Sequence, residues 1–168
     1  MNAEQLRGLQ APLKTQYREK PDAALFTLRA QGRLGEGVSC KIETGKGLLT
    51  AALHPATGGS GQGACSGDML LEALVACAGV TLNAVATSLG ILLRDATVEA
   101  EGDLDFRGTL GVSKEVPVGL QAIRLKFKLD TDATEEQLAT LLRLTERYCV
   151  VLQTLKNSPT VMVTRVGI

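Results

Sequence analysis

The chain has 168 residues, enough for one domain with a real core, and an ordinary globular make-up of 45% hydrophobic and 21% charged residues. Its 18 basic and 18 acidic residues cancel, which leaves no electrostatic footprint for nucleic acid or an anionic membrane. Aromatic residues make up 3% with no Trp, which argues against a base-stacking platform.

The opening segment MNAEQLRGLQAPLKTQYREK is polar and has no apolar run of the signal-peptide kind. A cytoplasmic protein is the expectation. Residues 2–19 read as a short helix capped by Asn2, broken around Pro12 and ended by Pro21. ALFTLRA (24–30) alternates, with Phe26, Leu28 and Ala30 on one face. VSCKIE (38–43) sets Val38, Cys40 and Ile42 against Ser39, Lys41 and Glu43. GRLGEG and TGKG (44–47) read as turns, and LLTAAL (48–53) as the third strand of a meander. HPATGGSGQGACSGD (54–68) is glycine-rich but lacks the Gly-Lys-Ser/Thr ending of a phosphate loop. It reads as a flexible connector, or functionally as the rim or lid of a pocket.

A long apolar helix follows over about 66–89, with Ser66 as its cap, Asp68 in its first turn and Gly90 as its stop. Leu70, Leu71, Leu74, Val75, Val80 and Leu82 fall on nearly every face, so the helix should be wrapped by protein all round. A partner subunit is the simplest cover. Glu72, Thr81 and Asn83 interrupt the apolar run, which favours a buried core helix over a membrane span. TVEAEGDLDF (97–106) and IRLKFKLD (123–130) alternate with an acidic and a basic outer face, as expected of an antiparallel pair. Residues 132–155 read as a second long helix, with Asp132/Glu135 or Thr134/Gln137 as capping box and Leu138, Leu141, Leu142, Thr145, Tyr148, Cys149 and Leu152 on its inner stripe. TVMVTRVGI (160–168) reads as a last strand. Strands, long helix, strands, long helix and strand make an α+β fold, a single domain over 1–168 with residues 1–22 as an N-terminal helical extension.

The chemistry rests on four cysteines, Cys40, Cys65, Cys77 and Cys149, and one histidine, His54. None of the cysteines sits in a C-x-x-C pair, so neither a metal site nor a cofactor is expected. A stable disulfide is not expected in a reducing cytosol. Inert buried thiols or redox chemistry remain. A reactive thiol needs a depressed pKa. The dipole of its own helix cannot supply this at Cys77, about three turns in, because that effect fades within the first turn. An arginine from elsewhere, which stays charged when buried, is the natural candidate.

CSGDMLLEALVACAGVTL resembles the core-helix signature of the OsmC/Ohr family, the osmotically inducible and organic-hydroperoxide-resistance proteins, and TERYCVVLQTL is similar to that family's second cysteine motif. The resemblance implies an OsmC-like two-layer fold and a thiol peroxidase. Cys77 would attack an organic hydroperoxide and become a sulfenic acid, and Cys149 would resolve it as a disulfide. A dithiol reductant, such as a lipoylated protein, would restore the thiols. It further implies an intertwined homodimer with the site at the interface, and an activating arginine after the first strand. Arg33, in QGRLGEG, has that setting, with Arg29 as its competitor. The chain departs from the pattern at the helix start, where Gly67 and Asp68 stand in place of Pro-Glu. This leaves an alternative: an OsmC-like homodimer that binds a small apolar ligand with little peroxidase activity.

Overall fold

The computed structural model describes residues 3–34, 40–42, 51–165 and 167. Its frame is a four-stranded antiparallel sheet in the order β2-β1-β3-β4, formed by β1 (Leu25–Leu34), β2 (Cys40–Ile42), β3 (Asp95–Asp105) and β4 (Ala122–Asp130). Alternation decides which face is which. Ala96, Val98 and Ala100 of β3 are buried, joined by Ile123, Leu125, Phe127 and Leu129 of β4. The opposite face carries the charges. Arg124 reaches Asp103 at 2.5 Å and Glu101 at 3.1 Å, Lys126 reaches Glu101 at 3.2 Å, and Lys128 reaches Glu99 at 2.5 Å. The acidic and basic outer faces therefore meet as the alternation predicts.

The long helix α2 (Ser66–Leu89) lies across the inner face. Its buried positions Leu71, Leu74, Val75, Ala78, Leu82 and Ala86 recur at helical spacing. The small inward residues of β3 let it approach. A Cβ on Gly102 would stand 3.0 Å from the Leu120 side chain and 3.4 Å from that of Leu71. Gly90 ends α2 in the left-handed conformation, φ 67°, and the Ile91 N–H closes onto the Ala86 carbonyl at 2.9 Å. The length and hydropathy of α2 alone would suit a membrane span, but its inner stripe is core. It is not wrapped all round within one chain: Met69, Leu70, Val80 and Leu89 are exposed.

A second, smaller core lies under α1 (Ala3–Glu19), where Tyr17 packs with Ala24, Ala56, Phe106 and Leu110. The Tyr17 hydroxyl donates to the Ala56 carbonyl at 2.8 Å, and the Gln10 amide donates to the Thr57 carbonyl at 3.2 Å. The N-terminal helix thus bonds to the His54–Gly59 segment, which turns tightly through Pro55–Thr57.

Several local expectations are corrected. Helix α1 runs straight through Pro12, because the bond lost there is to the carbonyl of exposed Gly8, which water can reach. Strand β1 continues through Gly32 and Arg33, read as a turn, because the eleven-residue β3 offers them partners in Val98 and Thr97. Ala51–Leu53 form no strand; Ala51 makes one isolated parallel bridge to Ala64. Cys65, not Ser66, is the N-cap of α2 and makes no side-chain cap bond. Phe106 opens a one-turn helix, α3 (Phe106–Thr109), capped by Asp105. Asp105 is therefore buried rather than on the solvent face, and its pairing with Arg107 at 2.6 Å outweighs burial and holds its carboxyl below the usual range. Residues 160–165 pair with no strand among the described residues, and Val161, Met162 and Val163 are 78%, 86% and 95% exposed. Asn2, residues 43–50 and the Cys40 side chain lie outside what is described.

The largest departure is in the second long helix. It forms with the Thr134/Gln137 capping box, but it is two helices, α4 (Glu135–Tyr148) and α5 (Val150–Lys156), with the break at Cys149.

Candidate functional site: a thiol pair at a helix break

Cys149 adopts φ −71° and ψ 105°, an extended conformation inserted between two helical segments. Its N–H still completes α4 by donating to the Thr145 carbonyl at 3.0 Å, and its own carbonyl starts α5 by accepting from the Gln153 N–H at 2.9 Å. Breaking a helix releases donors and acceptors that must find other partners. On the acceptor side, the Gln153 side-chain amide donates to the Glu146 carbonyl at 2.7 Å, and the Lys156 ammonium pairs with the Glu146 carboxylate. On the donor side, the first amides of α5 are free of helical bonds, and they point at sulfur.

That sulfur is Cys77. It is the twelfth residue of α2, partly buried, where α2 packs on α4 and α5. Burial alone would push its thiol up. The Val151 N–H, the Cys149 thiol, the Thr81 hydroxyl and the Val150 N–H beside it favour the thiolate, outweigh burial and bring it below the ordinary thiol value. Cys149 shifts the other way. It is fully buried, and burial pushes its thiol up to about 11. The Leu152 and Val151 N–H groups favour its ionisation, but donation to Cys77 and the neighbouring negative charge oppose it. The two shifts run in opposite senses: of the pair, Cys77 is the easier to ionise and Cys149 the one that holds its proton. Both are free thiols.

The two cysteines singled out from the sequence are thus brought together, and Arg33 is not brought to them. Its guanidinium is exposed and clamps Asp95 at 2.5 and 2.9 Å across β1 and β3. Among the described residues, no arginine acts on Cys77. Arg29 lies opposite Glu101 in the β1–β3 register, and its side chain is outside the described set. Asp68, at the departure from the family's helix start, interacts with His54, and burial raises its carboxyl above the ordinary range. The groups missed by sequence reasoning are the Val150 and Val151 amides. They carry no side-chain signature, and only a break in an apparently continuous helix exposes them.

Cys65 and His54 belong elsewhere. With Leu70, Leu104, Phe106 and Leu120 they line a cavity of about 390 Å³ at the N-terminal end of α2, and neither Cys77 nor Cys149 is in its wall. Both ends of the glycine-rich loop thus line a pocket, through His54, Thr57 and Cys65. His54 stacks on Phe106 at 4.9 Å, and its Nδ1 accepts the Ala56 N–H at 3.0 Å. Among the described residues there is no cluster of three metal-ligating side chains.

An antiparallel sheet covered by a long apolar helix, with a thiol on that helix meeting a second thiol at a break in the next, defines a class of dithiol α+β proteins. Residues 59–164 match the family model of OsmC-like proteins, and the chain belongs to that family. The fold is shared with an OsmC-like hydroperoxide resistance protein from Jannaschia sp. CCS1, at a TM-score of 0.62 and 16% identity over 86% of this chain and 95% of that one. It is shared also with an OsmC-like protein from Mycoplasma pneumoniae, at 0.56 and 19% over 80% and 86%. No curated protein matches the sequence.

Proposed function

We propose that the protein is a thiol-dependent peroxidase for organic hydroperoxides. The observation that carries this reading is the asymmetric pair of free thiols where α2 packs on the α4–α5 break: Cys77 partly open and favoured as the thiolate, Cys149 fully buried and holding its proton. In the first step the Cys77 thiolate attacks one peroxide oxygen and the O–O bond breaks. The departing alkoxide takes a proton and leaves as the alcohol, and Cys77 becomes a sulfenic acid. In the second step the Cys149 thiol loses its proton and its sulfur attacks Cys77. The hydroxyl leaves, takes up a proton as water, and a disulfide remains. An external dithiol, for which a lipoyl group has the right chemistry, then exchanges with the disulfide and is itself oxidised. No cofactor takes part in this scheme. The name of the Jannaschia fold neighbour supports the substrate class.

The working form is proposed to be a cytoplasmic homodimer with the site at the subunit interface. The exposed apolar flank of α2 and the exposed Val161–Val163 segment support it. In such a dimer Arg33, remote from Cys77 in its own chain, serves the other copy. The second reading, an apolar-ligand-binding homodimer, is favoured by the cavity at the start of α2, whose walls include Leu70, Leu104, Val118 and Leu120. Turnover of cumene hydroperoxide with dithiothreitol separates the two. The peroxidase consumes it, Cys77→Ser abolishes consumption, and Arg33→Ala lowers it with little change in melting temperature. An inert wild type would leave the ligand-binding reading.

A further inference from the structure

Thr145 lies one helical turn before Cys149 on the stripe of α4 that faces α2, between fully buried Leu141 and fully buried Cys149. It is 1% exposed, and its hydroxyl oxygen is the one buried side-chain oxygen or nitrogen without a hydrogen-bond partner among the described residues. A buried threonine in a helix ordinarily donates to the carbonyl four residues back. This hydroxyl does not take the Leu141 carbonyl. An orphaned buried hydroxyl destabilises a fold, and valine would fill the same volume without that cost. The position therefore asks for a state in which the hydroxyl has work.

The peroxidase cycle contains such a state. In the reduced pair the Cys149 thiol donates its hydrogen to Cys77. Once Cys77 carries a sulfenic hydroxyl, its anionic sulfur is gone. Cys149 must then give up its proton while fully enclosed, with the Leu152 and Val151 amides near its sulfur and the Val151 amide shared with Cys77. Side chains four apart on a helix are neighbours, about 5–6 Å between Cβ atoms. Rotation between staggered wells can carry the Thr145 hydroxyl toward the Cys149 sulfur.

We propose that Thr145 is a positioning residue for resolution: its hydroxyl, unpartnered in the reduced protein, donates to the Cys149 sulfur as that sulfur attacks the Cys77 sulfenic acid. The proposal rests on the peroxidase reading. The step balances as Cys149 thiol plus Cys77 sulfenic acid giving one disulfide and one water, with no further oxidant.

The test compares Thr145→Ser with Thr145→Ala, two variants of nearly equal cavity that differ in the hydroxyl, alongside the isosteric Thr145→Val. Each full-length, reduced protein is mixed with one equivalent of cumene hydroperoxide and followed by quenched-flow mass spectrometry. Sulfenic-acid formation at Cys77 should keep its wild-type rate in all three. Disulfide formation should slow about tenfold or more in the Ala and Val variants, the size expected for a lost hydrogen bond to a charged sulfur, and recover in Ser. With excess peroxide, Ala and Val should accumulate Cys77 sulfinic acid, and Val should melt no lower than wild type. Disulfide formation at the wild-type rate in Val and Ala, or equally slow in Ser and Ala, would overturn the role of Thr145 and leave the peroxidase intact. A wild type that forms no sulfenic acid would overturn both.

Discussion

Replacing Val150 by proline tests the origin of the Cys77 thiolate with little disturbance to the fold. Val150 is the first residue of α5, where proline is favoured because its missing N–H would make no helical bond. Cys149, with ψ 105°, already holds the extended conformation that a residue before proline prefers. The Val150 side chain is 71% exposed, so little packing is lost. What disappears is one amide donor to the Cys77 sulfur. A hydrogen bond to a charged group contributes about 1.5–3 kcal/mol, and partial exposure of the sulfur brings that down to about 1 kcal/mol. The thiolate fraction below the titration midpoint should then fall about fivefold. The assay is iodoacetamide alkylation of the Cys77 peptide at neutral pH, in a background with Cys40 and Cys65 replaced by serine. Slower alkylation with an unchanged melting temperature is expected. Unchanged alkylation in a folded variant would refute the argument that the amides of α5 hold the charge.

Tyr17→Phe should cost about 1–2 kcal/mol in a urea melt, because it strands the buried Ala56 carbonyl that the hydroxyl bonds at 2.8 Å; a neutral change would mean that α1 does not pin the His54 loop. The Cys149 thiol, raised from 9.0 to about 11, favours the fold in its neutral form. Its contribution is complete below pH 9 and lost between pH 9 and 11, so reduced wild type should lose stability relative to Cys149→Ala across that window, and a constant difference up to pH 11 would count against a buried neutral thiol. Val161→Asp combined with Val163→Asp should turn a dimer into a monomer by light scattering, since two valines now 78% and 95% exposed would contribute about 1.5–3 kcal/mol each if a partner buried them; an unchanged mass would place the interface elsewhere.

The fold was legible wherever alternation and helical period were long. β3 and β4 declare themselves by small or apolar residues set against opposite charges, and the register pairs Glu99 with Lys126 and Glu101 with Arg124 as that pattern predicts. Short segments misled, because tertiary partners rather than local preference decided them. Gly32 and Arg33 carry turn chemistry yet join β1, since β3 is long enough to pair with them. The Val161–Val163 segment has strand chemistry yet pairs with no strand among the described residues. At the site, both cysteines were visible as thiols on inward-facing helical positions. Their activation was not. Sequence reasoning sought a cation, because the dipole of α2 does not extend to its twelfth residue. The answer in this chain is the start of a different helix, created by a break within Tyr148-Cys149-Val150-Val151, four weaker helix formers in a row that the helical spacing of the inward-facing residues conceals.

That break also decides the direction of the proposed chemistry. Two thiols in contact could in principle exchange roles, and three features of the chain prevent it. Cys149 supplies the extended backbone that frees the Val150 and Val151 amides, so the donors arise beside Cys149 but converge on Cys77. Full burial keeps Cys149 protonated and out of reach of a peroxide, whereas Cys77 is partly open. The proton on Cys149 is itself one of the groups that lower Cys77, so in the proposed cycle the resolving thiol would favour the attacking thiolate until the second step. Attack by Cys77 removes the charge that opposed ionisation of Cys149, and the second step becomes easier because the first has occurred. An exchange of the two roles would require a charged sulfur in the most enclosed position of the pair, which the burial of Cys149 makes the less stable of the two arrangements.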